Sequence, residues 1–189
     1  MINQKIKLLF IGENNVGKTS LITKYRTGEF HCEYIPITTE IYTVTVTYND
    51  IQFNMEIWDK GGQEEYRLIP SSYPNTTCFV PCFSIVNLDT FKSLKTLWLP
   101  EIKRLNRDIP ILLVGLKSDL RESNEKAERN NPICIHQKIT TEEGLQMAKD
   151  IGACGYVECS SMNDSNVNSV FEKAIQISYE YLQTQMNTK

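Results

Sequence analysis

Residues 12–19, Gly-Glu-Asn-Asn-Val-Gly-Lys-Thr, match the pattern G-x-x-x-x-G-K-[ST]. An apolar run, Ile6 to Ile11, precedes them and predicts a buried strand, and apolar residues at helical spacing follow. In a strand–loop–helix unit of this kind, loop N–H groups and the positive end of the helix dipole converge on one point, which favours an anion. Lys18 can reach the outer phosphates of a nucleotide, and the Thr19 hydroxyl can ligate Mg²⁺. The loop therefore predicts a nucleotide-phosphate site.

Two further motifs, each following a predicted strand, indicate which base is bound. Leu116-Lys117-Ser118-Asp119 comes after the apolar run Ile111 to Val114. The Asp119 carboxylate can accept hydrogen bonds from the ring N–H and the exocyclic amine of guanine. Adenine lacks this pair of donors, and a missed buried hydrogen bond is costly. After the next strand, Cys159-Ser160-Ser161 can offer backbone N–H groups to the guanine oxygen.

The segment Trp58-Asp59-Lys60-Gly61-Gly62-Gln63 ends the third predicted strand. Asp59 is placed to reach Mg²⁺ through water, as the carboxylate that follows a strand beside a phosphate loop does. The Gly62 amide would meet the γ-phosphate, and Gln63 would orient the attacking water. The segment predicts that a bound nucleoside triphosphate can be hydrolysed.

Strands and helices alternate along the chain, and Asn49-Asp50 predicts a hairpin turn. Predicted strands cover 5–11, 42–48, 51–58, 78–83, 111–114 and 156–159; predicted helices cover 18–27, 89–106, a segment from the capping box Thr140-x-x-Glu143 to Gly152, and Val167 to Leu182. The pattern predicts an α/β fold: a six-stranded, mostly parallel sheet with one antiparallel strand and helices on both faces. Ligands then bind at the carboxyl ends of the strands. Pro81 cannot donate a ladder hydrogen bond, so we expect a bulge or a missing bond in its strand.

Composition is that of a soluble globular protein, and 189 residues fit one domain, which we place at 1–183 with a short tail at 184–189. The net charge of −3 and the lack of a basic stripe argue against nucleic acid as a partner. The six cysteines form no C-x-x-C pair, and the two histidines have no neighbours at ligand spacing. These features indicate reduced thiols and no metal site built from His and Cys.

Taken in order, the motifs resemble those of Ras-superfamily small GTPases, and more narrowly the Rho/Rac branch, over about residues 5–182. Rho-like stretches are Glu33-Tyr34-Ile35-Pro36, Ser72-Tyr73-Pro74, Cys82-Phe83-Ser84, Trp98-Leu99-Pro100-Glu101 and Gly144-Leu145-Gln146-Met147-Ala148-Lys149. The resemblance implies the small-GTPase (P-loop NTPase) fold and binding of GTP or GDP with Mg²⁺. It also implies a monomer that meets effectors, exchange factors and GTPase-activating proteins (GAPs) through residues 32–42 and 60–76. Residues 121–139 occupy the place of the Rho insert.

The resemblance also assigns roles to individual positions. Those matching the family's nucleotide contacts are Gly12, Glu13, Asn14, Asn15, Val16, Gly17, Lys18, Thr19, Ser20, Phe30, Gly62, Lys117, Asp119, Leu120, Ser160 and Ser161. Thr19 and Asp59 match its Mg²⁺ ligands, and Gln63 matches its catalytic glutamine. Phe30 would pack against the guanine edge.

The chain departs from the family at positions that bear on hydrolysis. Asn14 and Asn15 stand where Ras-like proteins carry glycine, or glycine then alanine in Rho relatives. A side chain at Asn14 would project toward the γ-phosphate and the path of an arginine finger, which contributes about 10³–10⁵ in rate. Ile37 stands where the family has the threonine that ligates Mg²⁺, unless a one-residue shift lets Thr38 replace it. We expect slow GTP hydrolysis and a more open switch.

Other departures lie near Asp59 and near the base. Lys60-Gly61 replaces Thr-Ala; the lysine could meet phosphate, meet a nearby carboxylate, or lie in solvent. Leu116 replaces Asn or Thr, and Ser161 replaces Ala. The lysine–aspartate pair after Leu116 is kept, so we expect guanine preference with altered affinity.

The last residues, Gln183 to Lys189, contain neither a basic cluster nor a cysteine box. We therefore expect no membrane anchor in this chain and a cytoplasmic location, with membrane association only if a lipidated tail has been removed.

Three functions remain open at this level. The first is a Rho-like GDP/GTP switch in signalling, acting on the cytoskeleton, with slow hydrolysis. The second is a GTP-binding, hydrolysis-deficient scaffold controlled by loading or abundance, which Asn14, Ile37 and Lys60 favour and Gln63 opposes. The third is an ATPase or small-molecule kinase, against which Asp119 argues.

Overall fold

The computed structural model of the chain describes residues 4–30, 39–61, 73–105, 108–121 and 138–187. In chain order the elements are β1 Gln4–Ile11, α1 Lys18–Thr27, β2 Thr39–Tyr48, β3 Ile51–Lys60, β4 Cys78–Ser84, α2 Leu88–Ser93, a π-helical turn Leu94–Trp98, α3 Leu99–Leu105, β5 Leu112–Leu116, α4 Thr141–Ile151, β6 Gly155–Cys159 and α5 Val167–Asn187. Ile37, Gly62, Gln63 and residues 122–137 of the predicted insert lie outside the described residues.

The strands form one six-stranded sheet in the order β2-β3-β1-β4-β5-β6. The β2–β3 pair is antiparallel and every other pair is parallel. Strands β4 and β5, which are apolar except for Ser84, are buried along their whole length, whereas β2, at the sheet edge, mostly alternates between partly buried and exposed residues. The predicted α/β fold with one antiparallel strand is confirmed.

The β2–β3 hairpin turns at Asn49 and Asp50, whose φ angles are 48° and 61°. Asparagine and aspartate tolerate this left-handed region better than most residues, and a two-residue turn with both φ angles positive matches the twist of the flanking strands. The hairpin is confirmed, and its strands extend beyond the predicted bounds to Thr39 and Lys60.

Helices cover both faces of the sheet, as predicted. On one face, α1 and α5 pack on residues such as Phe10 and Phe53. On the other, the π-helical turn, α3 and α4 pack on residues such as Leu9 and Phe79. No helix within the described ranges has the length and apolarity required to cross a bilayer.

The helix predicted over 89–106 is interrupted by the π-helical turn, in which the Leu99 N–H bonds to the Leu94 carbonyl. Pro100 accounts for the interruption. Proline has no N–H for the carbonyl of Thr96, and its ring excludes that carbonyl from the usual helical position. Widening the turn removes the clash while the helix continues.

Pro81 produces a missing bond and no bulge. Strand β4 meets the β5 side through an isolated bridge, Phe79 to Ile111, and the ladder resumes only at Cys82 and Val114. The offset between partners is the same on both sides of this gap, so no extra residue is inserted. The lost ladder bond follows from the missing proline N–H.

Helix α4 begins with the predicted capping box. The Thr140 hydroxyl accepts from the Glu143 N–H, and the Glu143 carboxylate accepts from the Thr140 N–H at 2.8 Å. Helix α5 ends at Asn187 rather than near Leu182. The helix therefore takes in most of the segment that the sequence assigned to a tail.

Candidate nucleotide site

The glycine loop joins β1 to α1 in a conformation that its sequence explains. Gly12 has φ 138°, and a Cβ there would lie 2.2 Å from the carbonyl oxygen of Cys82 on β4, so only glycine fits. Gly17 has φ 112° and precedes the first residue of α1. Asn15 has φ 61°, a region that asparagine enters more readily than most residues. This conformation explains how the loop accommodates Asn15 in place of glycine or alanine.

Lys18 is the first residue of α1, and its side chain reaches back into the phosphate loop. Its Nζ donates to the carbonyls of Gly12 at 2.8 Å and Glu13 at 2.9 Å. Burial lowers the pKa of Lys18, and the charge of Asp59 opposes that shift. A buried cation at the centre of the loop provides the attraction that a phosphate needs.

Thr19 and Asp59 meet at the end of β3. The Thr19 hydroxyl donates to Asp59 Oδ2 at 2.6 Å, and Asp59 is 1% exposed. Burial raises the pKa of Asp59, while the charge of Lys18 and the hydrogen bond from Thr19 act in the opposite direction. A hydroxyl and a carboxylate beside a phosphate position fit Mg²⁺, which takes one or two protein oxygens together with phosphate oxygens.

A cavity of about 210 Å³ opens beside the loop at the carboxyl ends of β5 and β6. It is lined by Gly17, Ser20, Phe30, Leu116, Lys117, Asp119, Leu120, Ser161 and Met162. Most of these residues were predicted from sequence as nucleotide contacts. Leu116, expected only to lie near the base, and Met162 were not, and the position of Met162 next to Ser161 is the signal that could have indicated it. Apolar walls with one carboxylate suit a planar base that carries paired N–H donors.

The two predicted base motifs are joined to each other and to the loop. The Ser118 N–H donates to the Cys159 carbonyl at 3.2 Å, and Lys117 Nζ donates to the Asn15 carbonyl at 2.7 Å. Burial lowers the pKa of Lys117, and the charge of Asp119 opposes this shift. The loop and the base motifs therefore form one site.

Ser160 acts through its hydroxyl rather than through its amide. Its N–H donates to the Ser165 carbonyl at 2.9 Å, so it does not point to a guanine oxygen as predicted. Its Oγ donates to Asp119 Oδ1 at 2.6 Å and accepts from the N–H of Met162 at 3.2 Å. Because the Ser160 N–H is bonded within the turn after β6, the contribution of Ser160 to the site is its hydroxyl, which orients the Asp119 carboxylate.

A sequence model of the Ras family matches residues 7–180 of this chain. The chain belongs to the Ras family. It is also 38% identical over 171 residues to the Ras-like GTP-binding protein RhoL of Drosophila melanogaster, covering 90% of this chain and 85% of that protein. The resemblance to a Rho-like small GTPase and the fold it implies are confirmed. As a Ras-family GTPase, the protein binds GTP or GDP with Mg²⁺ and is a GTP hydrolase.

Lys60 of this GTPase does not lie in solvent, which was one of the possibilities that the sequence left open. It is fully buried, and its Nζ donates to the Tyr73 hydroxyl at 2.7 Å. The Tyr73 hydroxyl in turn bonds to the buried Glu101 carboxylate on α3. Burial lowers the pKa of Lys60 to about 8, and the charge of Glu101 opposes this shift. Successive residues of a strand point to opposite faces, so Lys60 lies on the far side of β3 from Asp59.

Leu116 of the GTPase stands where the family carries Asn or Thr, and it supports the loop by apolar contact. It is buried at the end of β5, and its side chain lies against Gly17, where a Cβ would be 3.7 Å from Cδ1.

Arg121, just after the base motif, links β6 to the segment that leads into α4. Its guanidinium donates to Glu158 at 2.5 and 2.8 Å and to the Ile139 carbonyl at 2.8 Å. The Tyr156 hydroxyl also donates to Glu158 at 2.8 Å. A bidentate pair of this kind fixes geometry as well as supplying energy.

Proposed function

We propose that this Ras-family GTPase is a Rho-branch signalling switch that alternates between GDP and GTP forms, hydrolyses GTP slowly and acts on the cytoskeleton. The 38% identity to RhoL over most of both chains supports the Rho assignment. The Rho-like stretches, such as Cys82-Phe83-Ser84 and Trp98-Leu99-Pro100-Glu101, support it further.

The observation that best supports a GDP/GTP switch is the Thr19–Asp59 hydrogen bond beside the phosphate loop. These two residues would hold Mg²⁺, which neutralises phosphate charge when bound. Lys18 binds the outer phosphates, and Asp119, oriented by Ser160, selects guanine. Gln63 is assigned the positioning of the attacking water by resemblance.

Slow hydrolysis is inferred from two residues. Asn14 would occupy the path of an arginine finger, which contributes about 10³–10⁵ in rate. Ile37 lacks the hydroxyl that the family uses to close its first switch segment on Mg²⁺. Both changes weaken the response to the γ-phosphate, so the GTP form should persist.

Effectors, exchange factors and GAPs would bind through residues 32–42 and 60–76. The described part of the first segment supports this assignment. Ile41 is 52% exposed and Glu40 is exposed next to it on the edge strand β2, so the surface offers an apolar contact beside a charge. We propose a cytoplasmic monomer in which this surface meets partner proteins.

The second candidate is the GTP-binding scaffold, in which GTP hydrolysis is too slow to set the nucleotide state, and it rests on Asn14 and Ile37. Lys60 no longer favours it, because its ammonium is bonded to Tyr73 on the far side of β3. A scaffold of this kind would be regulated by nucleotide loading or by abundance rather than by its own turnover.

Single-turnover hydrolysis of pre-bound GTP, with Mg²⁺ present, separates the two candidates. A working timer loses GTP over minutes to hours and is slowed in Gln63→Leu. If GTP persists and the substitution changes nothing, the slow switch is excluded and the scaffold is supported. Competition with ATP tests the third possibility, an ATPase or small-molecule kinase, since displacement of GDP by ATP would contradict guanine selection by Asp119.

A further inference from the structure

Glu13 places a carboxylate in the phosphate loop, and two donors from a distant segment bind it. Glu13 Oε1 accepts from Ser93 Oγ at 2.7 Å and from Trp98 Nε1 at 3.2 Å. Trp98 is fully buried, and Ser93 is partly buried. These contacts fasten the side chain of Glu13 to the end of α2 and the π-helical turn.

The π-helical turn is what allows the two donors to act together. Ser93 and Trp98 are five residues apart, a spacing that in an α-helix of 3.6 residues per turn separates side chains by about 140°. In the π-helical turn a hydrogen bond between residues five apart closes one turn, so such residues lie roughly one above the other. The local widening at Pro100 thus places both donors on the face that meets the loop.

The charge of Glu13 explains why its side chain needs holding. Its carbonyl lies 2.9 Å from Lys18 Nζ, so its backbone is part of the phosphate cradle. A free carboxylate on this residue could turn toward the phosphates, where like charges repel strongly in a partly buried site. The Ser93 O–H and the Trp98 indole N–H hold the carboxylate in a favourable position away from the phosphates.

We propose that Ser93 and Trp98 are positioning residues for nucleotide binding, which hold the Glu13 carboxylate away from the phosphates. They act through Glu13 and do not touch the nucleotide. This proposal rests on the proposed nucleotide switch, but it requires only that the protein bind a nucleotide. It can therefore be tested with GDP however slow GTP hydrolysis proves to be.

The test measures release of fluorescently labelled GDP into excess unlabelled GDP, with Mg²⁺ present. The variant Ser93→Ala/Trp98→Phe should release GDP at least about tenfold faster, the effect of losing hydrogen bonds to a charged group. Adding Glu13→Gln, which removes the charge but keeps the acceptor oxygen, should bring the GDP release rate most of the way back to that of the unmodified protein.

Two matched controls separate this effect from general loosening. Thr96→Ala removes a hydroxyl from the same helical segment, where it donates to the Lys92 carbonyl at 3.1 Å and, among the described residues, to no group of the phosphate loop. Trp58→Phe removes the chain's other indole N–H, which donates to Glu56 at 3.2 Å. Both should release GDP at close to the unmodified rate.

The proposal is overturned if release stays fast after Glu13→Gln is added. That result would mean that the two donors order the loop whether or not residue 13 carries a charge. If Trp98→Phe lowers folded content by circular dichroism, Ser93→Ala alone is compared with Ser93→Ala/Glu13→Gln. The proposal is supported if Ser93→Ala releases GDP faster than the unmodified protein and Ser93→Ala/Glu13→Gln does not. It is overturned if the two variants release GDP at the same rate.

Discussion

The Thr19 hydroxyl and the Asp59 carboxylate, joined at 2.6 Å, connect the start of α1 to the end of β3. One residue comes from the phosphate loop and the other from the segment that also carries Gly62 and Gln63. Their hydrogen bond holds together the two oxygen donors assigned to Mg²⁺.

Thr19→Ala should abolish most of the effect of Mg²⁺ on nucleotide release. In the unmodified protein, adding EDTA should accelerate GDP release; in the variant, release should already be fast, with EDTA changing it by less than about threefold. Thr19→Ser, which keeps the hydroxyl, is the matched control and should retain the response. An EDTA response that survives intact in Thr19→Ala would remove Thr19 from the metal site.

Ser160→Ala should weaken guanine nucleotide binding by about tenfold, because the Asp119 carboxylate loses its orienting donor. The N–H groups of Met162 and Asn163 also lose their acceptor, so the turn that carries Ser161 should loosen. Calorimetric titration with GDP measures the loss. Unchanged GDP affinity in a correctly folded variant would show that Asp119 is positioned without Ser160.

Lys60→Met should destabilise the protein by about 2 kcal/mol, because the buried Glu101 carboxylate loses its compensating cation. The double variant Lys60→Met/Glu101→Gln should recover most of that loss, since neither charge then remains buried. Urea unfolding gives both free energies. If the second substitution adds to the first instead of reversing it, the two charges are not coupled through Tyr73.

Glu158 should make stability depend on pH. Burial alone would raise its pKa, but hydrogen bonds from Arg121 and Tyr156, together with the charge of Arg121, lower it below the ordinary 4.5. A carboxylate with a lowered folded-state pKa stabilises the protein above its unfolded-state pKa and loses that contribution as pH falls through the folded value. The free energy of unfolding should therefore decline below about pH 4.5.

The variant Glu158→Gln isolates this contribution. At pH 7 it should cost about 1–3 kcal/mol, because Arg121 and Tyr156 lose a charged acceptor. Its unfolding free energy should also fall less steeply in acid than that of the unmodified protein. Identical acid profiles for the two proteins would assign the pH dependence to other carboxylates.

The sequence by itself determined the features that depend on neighbouring residues. The glycine loop, the Asn49-Asp50 hairpin and the capping box at Thr140 and Glu143 each follow from local sterics and short-range hydrogen bonds. The alternation of apolar runs fixed a mostly parallel sheet, and the order of the motifs at strand ends predicted most of the residues that line the base cavity.

Only the tertiary structure decided what the distant partners do. Glu13 meets donors 80 and 85 residues further along the chain, and the hydroxyl of Ser160 reaches Asp119, 41 residues before it. Lys60 was left open between phosphate, carboxylate and solvent, and it is buried because Tyr73 and Glu101 pack beneath β3. The geometry of a side-chain contact between separate elements depends on how those elements pack, and no local pattern encodes it.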